Sequence, residues 1–222
     1  MAKKKAEKIG EIKKNPKRSK RYERQLKWIF IGMGVLVLIV LIVYFGIEST
    51  KRFDYGGIKF QKIKYDKLLL YYSKIPISDS SGNLKFYYNL YLRNDPRNVN
   101  IPVNGEIQLS KETILSVDES INGCEDNGIA GMTLGTFFQA AGINKVSGST
   151  NETIAKERDL LYATCENTNS SIIVLKQGNE TFIREERPDC YVIQFKDCEV
   201  LKAVERFIVA AIANSQGITI SR

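Results

Sequence analysis

The hydrophobic and polar positions divide the chain into one uninterrupted apolar run and a longer region of short alternating patterns. Residues 28–47 form the run WIFIGMGVLVLIVLIVYFGI, which contains no charged side chain. At about 1.5 Å per residue, a helix of this length matches a hydrocarbon core about 30 Å thick. The run is too uniformly apolar for a soluble core helix and too long for a cleavable signal peptide. We therefore predict a transmembrane helix at residues 28–47 that is retained as a signal-anchor and contacts the lipid bilayer.

Residues 1–27 are strongly basic and predict the orientation of this helix. They carry twelve Lys and Arg residues against three Glu residues, a net charge of +9, whereas the whole chain carries +8. By the positive-inside rule we expect a single-pass protein of the cell membrane, with a cytoplasmic N-terminus and an extracytoplasmic C-terminal domain. The composition of residues 1–27 predicts a disordered tail that acts as a topology signal or, alternatively, contacts anionic lipid. No aromatic residue precedes Tyr22, so we expect no nucleic acid as partner.

After a short polar stalk predicted at residues 48–56, the patterns of residues 57–222 predict one α+β domain. Alternation with a period of two predicts strands at residues 58–65, 68–77 and 84–93, the last with one apolar face. Pro102 predicts an edge or a break in the next strand, at residues 99–109. Further strands are expected at residues 113–117, 160–164, 171–175 and 190–195, with a hairpin over residues 171–183 and a loop over residues 143–157.

Two amphipathic helices are predicted in this domain. The first covers residues 126–141 and ends at Gly142, and the second covers residues 198–213 with Asp197 as its N-cap. In the second helix, Lys202, Glu205 and Arg206 fall on the face opposite to the apolar stripe, which is typical of a helix lying on a sheet. The expected fold is therefore α+β, with a mixed or mostly antiparallel sheet and two main helices behind one transmembrane helix.

All four cysteines lie after the apolar run, where an even number in an exported domain favours two disulfides. If residues 190–198 are extended, Cys190 and Cys198 lie about 25 Å apart, too far for a bond. Cys124 and Cys198 each precede a helix, which favours the pairs Cys124–Cys198 and Cys165–Cys190. A reactive thiol at Cys198 is the alternative, but the chain has no C-x-x-C motif.

Three N-x-[ST] motifs on the predicted exported side, at Asn151, Asn169 and Asn179, are candidates for glycosylation. The chain contains no histidine, which excludes Ser-His-Asp and Cys-His catalysis and nearly all catalytic zinc sites. We expect no metal and no cofactor. The catalytic candidates are four carboxylates near the first helix, which equally suit helix capping and loop solvation: Asp118, Glu119, Glu125 and Asp126.

Glycines and tyrosines are the remaining features of interest. Gly128, Gly131 and Gly135 match no nucleotide-binding motif, and we expect Gly131 and Gly135 to let the helix approach a strand closely. Several tyrosines suit either sheet cover or a binding face, since Tyr is favoured at interfaces; these are Tyr65, Tyr71, Tyr72, Tyr87, Tyr88 and Tyr91. The leading hypothesis is a non-enzymatic surface module that binds or assembles with an envelope protein or a glycan. The alternatives are an extracytoplasmic carboxylate hydrolase and a small accessory subunit of a membrane complex.

Overall fold

The computed structural model describes residues 16–78 and 81–220, and the chain divides into two compact units, with the boundary between Thr50 and Lys51. The described part of the first unit is helix α1 (Pro16–Thr50). Within it, Arg24–Gly46 has a mean hydropathy of 2.8 and exposed apolar side chains, whereas a soluble core helix would bury them. By length and composition, this helix is able to cross a membrane.

Helix α1 is longer than the apolar run and corrects part of the disordered-tail prediction. Residues 1–15 lie outside the described residues, but residues 16–27 are helical. The physical reason is that extending an existing helix costs far less free energy than nucleating one, and Lys, Arg, Glu and Gln are good helix formers. Pro16 occupies the first helical position, where its missing N–H is not needed.

The second unit begins with a four-stranded antiparallel sheet, which we call the meander. Its strands are β1 (Arg52–Tyr55), β2 (Ile58–Tyr65), β3 (Leu68–Ser78) and β4 (Leu84–Leu92), adjacent in chain order. The predicted stalk at residues 48–56 is therefore wrong, because residues 48–50 end α1 and β1 pairs with β2. Phe53 explains this pairing, since its ring lies 5.5 Å from that of Phe60 and packs against the core.

A seven-stranded mixed sheet forms the other half of this unit. Its spatial order is β5-β10-β11-β9-β6-β7-β8, and all neighbours are parallel except β10 and β11. The domain contains one antiparallel sheet, one mixed sheet and several helices, which confirms the predicted α+β class. The strands are β5 (Val103–Asn104), β6 (Glu112–Val117), β7 (Asn144–Ser149), β8 (Leu161–Tyr162), β9 (Ile172–Gln177), β10 (Phe182–Arg187) and β11 (Cys190–Phe195).

Two predictions about this sheet are wrong because the pairing of strands in space, which the local sequence pattern does not show, decides both. The predicted loop at residues 143–157 contains β7 and helix α3 (Glu152–Glu157), and the predicted hairpin of β9 and β10 does not form because β11 lies between them. Strand β7 has few apolar residues and owes its conformation to parallel pairing with β6 and β8. Gly148 permits this packing, since a Cβ there would lie 3.0 Å from the Leu161 carbonyl oxygen.

Helices α2 (Asn127–Ala141) and α4 (Val200–Ser215) share one hydrophobic core with both sheets. Helix α2 ends at Gly142 as predicted, where φ is 68°. Helix α4 contacts β10 and β11, and its other side reaches β1 and the segment after β4. It begins at Val200 with Glu199 as N-cap residue, so the prediction of Asp197 as N-cap is wrong.

The predicted polar face of α4 is largely buried. Lys202 is exposed, but Glu205 and Arg206 are each only 2% exposed. The Glu205 carboxylate accepts hydrogen bonds from the backbone N–H groups of Arg93 and Asn94, at 2.6 and 3.1 Å, and from Asn94 Nδ2 at 2.8 Å. Arg206 donates to the Ile101 carbonyl and to the Tyr55 hydroxyl. The helix therefore lies between two sheets instead of on one.

Both disulfides involve the seven-stranded sheet and the helices packed on it. Cys124 is bonded to Cys198 with a Cα–Cα distance of 5.2 Å, and Cys165 to Cys190 with 5.8 Å, which are the pairs that the sequence favours. The first bond joins the segments that lead into α2 and α4. The second ties the loop after β8 to β11. The reactive-thiol alternative at Cys198 is therefore wrong.

Candidate binding groove beside strand β4

Strand β4 is a long, uncovered sheet edge. It has nine residues, and among the described residues it pairs only with β3. The opposite edge of the meander, β1, has four residues, and the two edges of the seven-stranded sheet, β5 and β8, have two each. Pro102 precedes β5, in agreement with the predicted break. Short edges are the usual protection against unwanted strand pairing, and β4 lacks that protection.

The side chains of β4 are more exposed than their alternation predicts. Leu90 and Leu92 are buried, but Leu84 and Phe86, on the same face, are 51% and 46% exposed. The predicted apolar face is therefore buried only in its C-terminal half, because the β3–β4 hairpin extends past the core. Tyr88 is half-buried, and burial raises the pKa of its hydroxyl although a hydrogen bond with Thr136 of α2 opposes the shift.

The other face of β4 carries an ordered row of aromatic groups. The rings of Tyr72 and Tyr91 are 5.1 Å apart, and the Tyr72 hydroxyl donates to Asn89 Oδ1 at 2.9 Å. The Lys74 ammonium lies 4.0 Å from the centroid of the Tyr87 ring. These cross-strand contacts hold the rings in place while Tyr87 and Tyr91 remain nearly half exposed.

The tyrosines singled out in the sequence divide into a buried or half-buried group and an exposed group. Tyr71 is buried and covers the core, and Tyr72 is half-buried. Tyr65, Tyr87 and Tyr91 are exposed. The alternation of the sequence alone does not separate these groups, because it carries no information on where the covering helix ends.

Helix α2 presents an exposed face without charge on the same side of the domain. Gly128, Gly131, Met132, Thr136 and Gln139 are exposed, and Met132 is 72% exposed. A Cβ added to Gly131 or Gly135 would have no atom within 4 Å, so the expectation that these glycines allow a close approach to a strand is wrong. Glycine within a helix costs about 1 kcal/mol relative to alanine, and no packing within the described domain offsets that cost.

Strand β4 and helix α2 enclose a groove of about 670 Å³, which we call the β4–α2 groove. Its volume lies in the range that holds a ligand or a short peptide segment. None of the described residues that line it is Asp, Glu, Lys or Arg. The lining residues are Phe86, Tyr87, Tyr88, Asn89, Tyr91, Ile129, Met132, Thr133, Thr136, Gln139 and Ala140.

A second groove, of about 760 Å³, lies beside β3 of the same hairpin. It is lined by Ile75 to Ser78 of β3, by residues 107–109 and by the C-terminal ends of α2 and α4. Tyr191 supports its wall, since its hydroxyl accepts a hydrogen bond from the Gln108 N–H at 2.9 Å. The projecting hairpin is therefore flanked by apolar concave surfaces, of which the one beside β4 also borders a free sheet edge.

The four candidate catalytic carboxylates make separate structural contacts. Asp118 accepts hydrogen bonds from the Ser120 N–H and hydroxyl and from the Thr150 hydroxyl. Glu119 accepts from Asn151 Nδ2 at 2.8 Å. Asp126 lies 3.9 Å from an Arg93 nitrogen, and Glu125 is exposed. Asp118 and Glu119 therefore face β7 and α3, whereas Asp126 faces the end of β4.

The local electrostatics at Asp118 agree with a capping role. Burial raises the pKa of its carboxyl, but the hydrogen bonds from Ser120 and Thr150 outweigh burial and the net pKa is lowered. A general acid needs a raised pKa instead. Within the part of the chain that the structure describes, no three Asp, Glu, Cys or His residues are grouped closely enough to hold a metal ion.

The candidate glycosylation sites lie at the surface but differ in their contacts. Asn169 and Asn179 are exposed in loops. Asn151 is the N-cap of α3, where its Oδ1 accepts from the Thr153 and Ile154 N–H groups while its Nδ2 donates to Glu119. The nitrogen of Asn151 that a glycan would modify is therefore already bonded.

The groove is the feature that sequence reasoning missed. The exposed tyrosines and the uncharged helix were visible as separate signals, but nothing in the sequence places α2 beside β4. Comparisons with known proteins add no function to this geometry: no protein-family model, curated protein or solved structure matches the chain.

Proposed function

We propose that this chain is a membrane-anchored module that binds another macromolecule outside the cytoplasm. The observation that carries the proposal is the β4–α2 groove with its exposed aromatic and apolar rim. Helix α1 anchors the chain, and the domain formed by residues 51–222 presents the groove to the partner.

The location is supported by three features of the chain. The apolar helix suits a membrane span, and the two disulfides suit an oxidising compartment. The net charge of +9 before the apolar run favours a cytoplasmic N-terminus, which makes residues 51–222 extracytoplasmic. The same argument makes the apolar segment a retained signal-anchor of a single-pass protein of the cell membrane. Asn169 and Asn179 are then available for glycosylation.

The binding role is supported by the chemistry of the exposed side chains. Large aromatic residues are enriched in binding interfaces, and a grouped set of exposed apolar residues marks an interaction site. Phe86, Tyr87 and Tyr91 are each 46–49% exposed on a single strand, and Met132 is exposed on the facing helix. The rings of Tyr91 and Tyr87 are pre-ordered by contacts with Tyr72 and Lys74, which lowers the entropy lost on binding.

A binding role is favoured over the carboxylate hydrolase. Asp118 and Glu119 already accept hydrogen bonds within the domain, and Asp126 lies on a different side of α2's N-terminus, toward Arg93. The partner is an envelope protein or a glycan, and an accessory subunit of a membrane complex is one form that such an interaction takes.

The test is photo-crosslinking in intact cells with a benzophenone amino acid in place of Tyr91. We expect a discrete crosslinked species from Tyr91, and none from the same group at Glu166, which is exposed in the loop after β8. Protease added to the same cells should degrade residues 51–222. If both positions give identical patterns, or if the domain is protected from protease, the proposal is wrong.

A further inference from the structure

We propose that the β4–α2 groove takes an extended, uncharged peptide segment of a partner protein, which adds to the meander as a fifth strand beside β4. This inference rests on the proposed function and specifies the partner. Its basis is the combination of an unpaired strand edge with a groove that borders this edge.

The backbone of β4 supplies the first argument. In an antiparallel ladder, alternate N–H and C=O groups of an edge strand point away from its neighbour. For β4 the neighbour is β3, and the described residues contain no strand on the other side. Such a row of donors and acceptors is the recognition element that domains binding by strand addition use. A peptide in extended conformation satisfies it, whereas a glycan has no matching repeat.

The absence of protective features supplies the second argument. Natural edges are blunted by short length, by Pro, by charged residues or by a bulge. Strand β4 spans nine residues without Pro, and Lys85 near the hairpin tip is its only charged residue. The register shift in the hairpin lies at Ile77/Ser78, which is also at the tip. The segment from Leu84 to Asn89 contains no buried residue and remains open, whereas Leu90 and Leu92 near the end of the strand are buried.

The charge of the groove determines the chemistry of the peptide. Helix α2 has no charged residue in fifteen, and no Asp, Glu, Lys or Arg side chain lines the described groove. A charged side chain placed against α2 would lose its hydration without gaining a partner there, since the nearby Lys74 ammonium lies on the Tyr87 ring of the opposite wall. Uncharged side chains instead contact the rings of Phe86 and Tyr88 and the Met132 thioether.

The shape of α2 favours one added strand over a second copy of the chain. The α2 side of the groove is formed by side chains of moderate size, among them Met132, Thr133 and Thr136, which leave room for one strand above the helix. Pairing of two β4 strands in a symmetric dimer would bring a second α2 into the same space. A groove of about 670 Å³ holds a peptide segment but not a helix of a second domain.

The experiment uses the full chain in lipid nanodiscs and two displayed libraries of random nonapeptides. One library contains all amino acids, and the other lacks Asp, Glu, Lys and Arg. We expect selection on the wild-type chain to enrich uncharged, β-branched and aromatic peptides from both. An enriched peptide is then resynthesised with N-methyl groups on alternate residues, in each of the two possible registers. One register should lower the affinity about tenfold or more and the other should not, because only one set of N–H groups faces β4.

Two variants, at positions of nearly equal exposure, test whether the peptide binds in the β4–α2 groove. Met132→Glu places a charge in the groove and should lower the affinity about tenfold or more, since the carboxylate is desolvated by the peptide. Tyr65→Glu is the matched control, because Tyr65 is 73% exposed at the end of β2 and does not line the groove, and it should leave the affinity unchanged. Both side chains are exposed, so neither change should affect folding.

Several outcomes would overturn the proposal. These are enrichment of charged peptides, equal affinity of both N-methylated forms and the parent, or binding that survives Met132→Glu. A dimer of the chain that Met132→Glu dissociates would assign the groove to a second copy. If no peptide is enriched but the crosslinker at Tyr91 captures a partner, strand addition is wrong and the binding function stands. If both experiments fail, the binding function is wrong as well.

Discussion

The two sheets of the domain differ in how far their strands are buried and in the length of their edge strands. The seven-stranded sheet has central strands whose residues are buried on both faces and two-residue strands at both edges; one disulfide ties β11 to the loop after β8, and the other joins the segments that lead into α2 and α4. The meander contains no disulfide, and it ends in the nine-residue β4. The seven-stranded sheet therefore has only short edge strands, whereas the meander has a long edge strand without a partner among the described residues.

This difference suits the first sheet to stability and, under the function proposed above, leaves the meander for recognition. The edge strands of the seven-stranded sheet, with two residues each, offer little backbone for a further strand to pair with. The meander depends on its inner apolar residues and on the buried contacts of α4, chiefly Glu205 with the backbone of Arg93 and Asn94. Its outer strand keeps free backbone groups and exposed rings at the cost of a less protected edge.

The largest effect is expected from removal of a disulfide. Loop closure in the unfolded chain predicts that Cys124→Ser with Cys198→Ser lowers the free energy of unfolding by about 4 kcal/mol, for a sequence separation of 74 residues. The pair Cys165→Ser with Cys190→Ser, with a separation of 25, should cost about 3 kcal/mol. Urea denaturation followed by near-ultraviolet circular dichroism measures both. If the free energy of unfolding is unchanged in both variants, the stabilising role given to the disulfides is wrong.

The next largest loss of stability is expected from a change that disturbs the meander. Glu205→Ala leaves three partly buried donors without their acceptor, and we expect the free energy of unfolding to fall by about 3 kcal/mol. Lys202→Ala is the control on the same helix, since Lys202 is exposed and bonds only to Glu199 at the surface. Hydrogen exchange should accelerate first in β3 and β4 and least in β9 and β11. Uniform acceleration in both sheets would show that the two regions do not differ in the way described.

The pH dependence of stability should have opposite signs in the two regions. Burial raises the pKa of Glu205 above its ordinary 4.5, so its contribution is full below pH 4.5 and is lost as the pH rises through the folded-state pKa. Hydrogen bonds from Ser120 and Thr150 hold the pKa of Asp118 below 3.8 against the opposing effect of burial. Its contribution is present above pH 3.8 and is lost as the pH falls through the folded-state pKa.

Unfolding free energies at a series of pH values, compared with Glu205→Gln and Asp118→Asn, measure these two contributions. Relative to Glu205→Gln, the wild type should lose stability as the pH rises from 4.5. Relative to Asp118→Asn, it should lose stability only in strong acid. Parallel curves for either pair would show that the titration of that carboxyl is the same in the folded and unfolded chain.

The smallest effect concerns the exposed face of α2. Gly131→Ala should raise the free energy of unfolding by about 0.5–1 kcal/mol, because the helical backbone is stiffened and the methyl group meets open space. Gly142→Ala is the contrasting control and should destabilise, since φ at that position is 68°. Thermal unfolding measures both. A destabilising Gly131→Ala would mean that this face of α2 is already occupied.

The sequence alone determined the features that depend on local pattern. The apolar run from Trp28, the strands around Ile58 and Leu90, the helix that ends at Gly142 and the disulfide pairs all follow from periodicity, length or the reach of an extended segment. These properties need no knowledge of neighbours, because helix and strand geometry set them within a few residues.

Tertiary structure decided what depends on neighbours in space. Parallel pairing made a strand of the polar β7, insertion of β11 separated β9 from β10, and the meander buried Glu205 and Arg206. The groove follows from the same kind of event, since the position of α2 beside β4 is fixed only when both pack on a common core. Local periodicity records which residues are apolar but not which surface covers them, and a binding site is defined by the surface that stays uncovered.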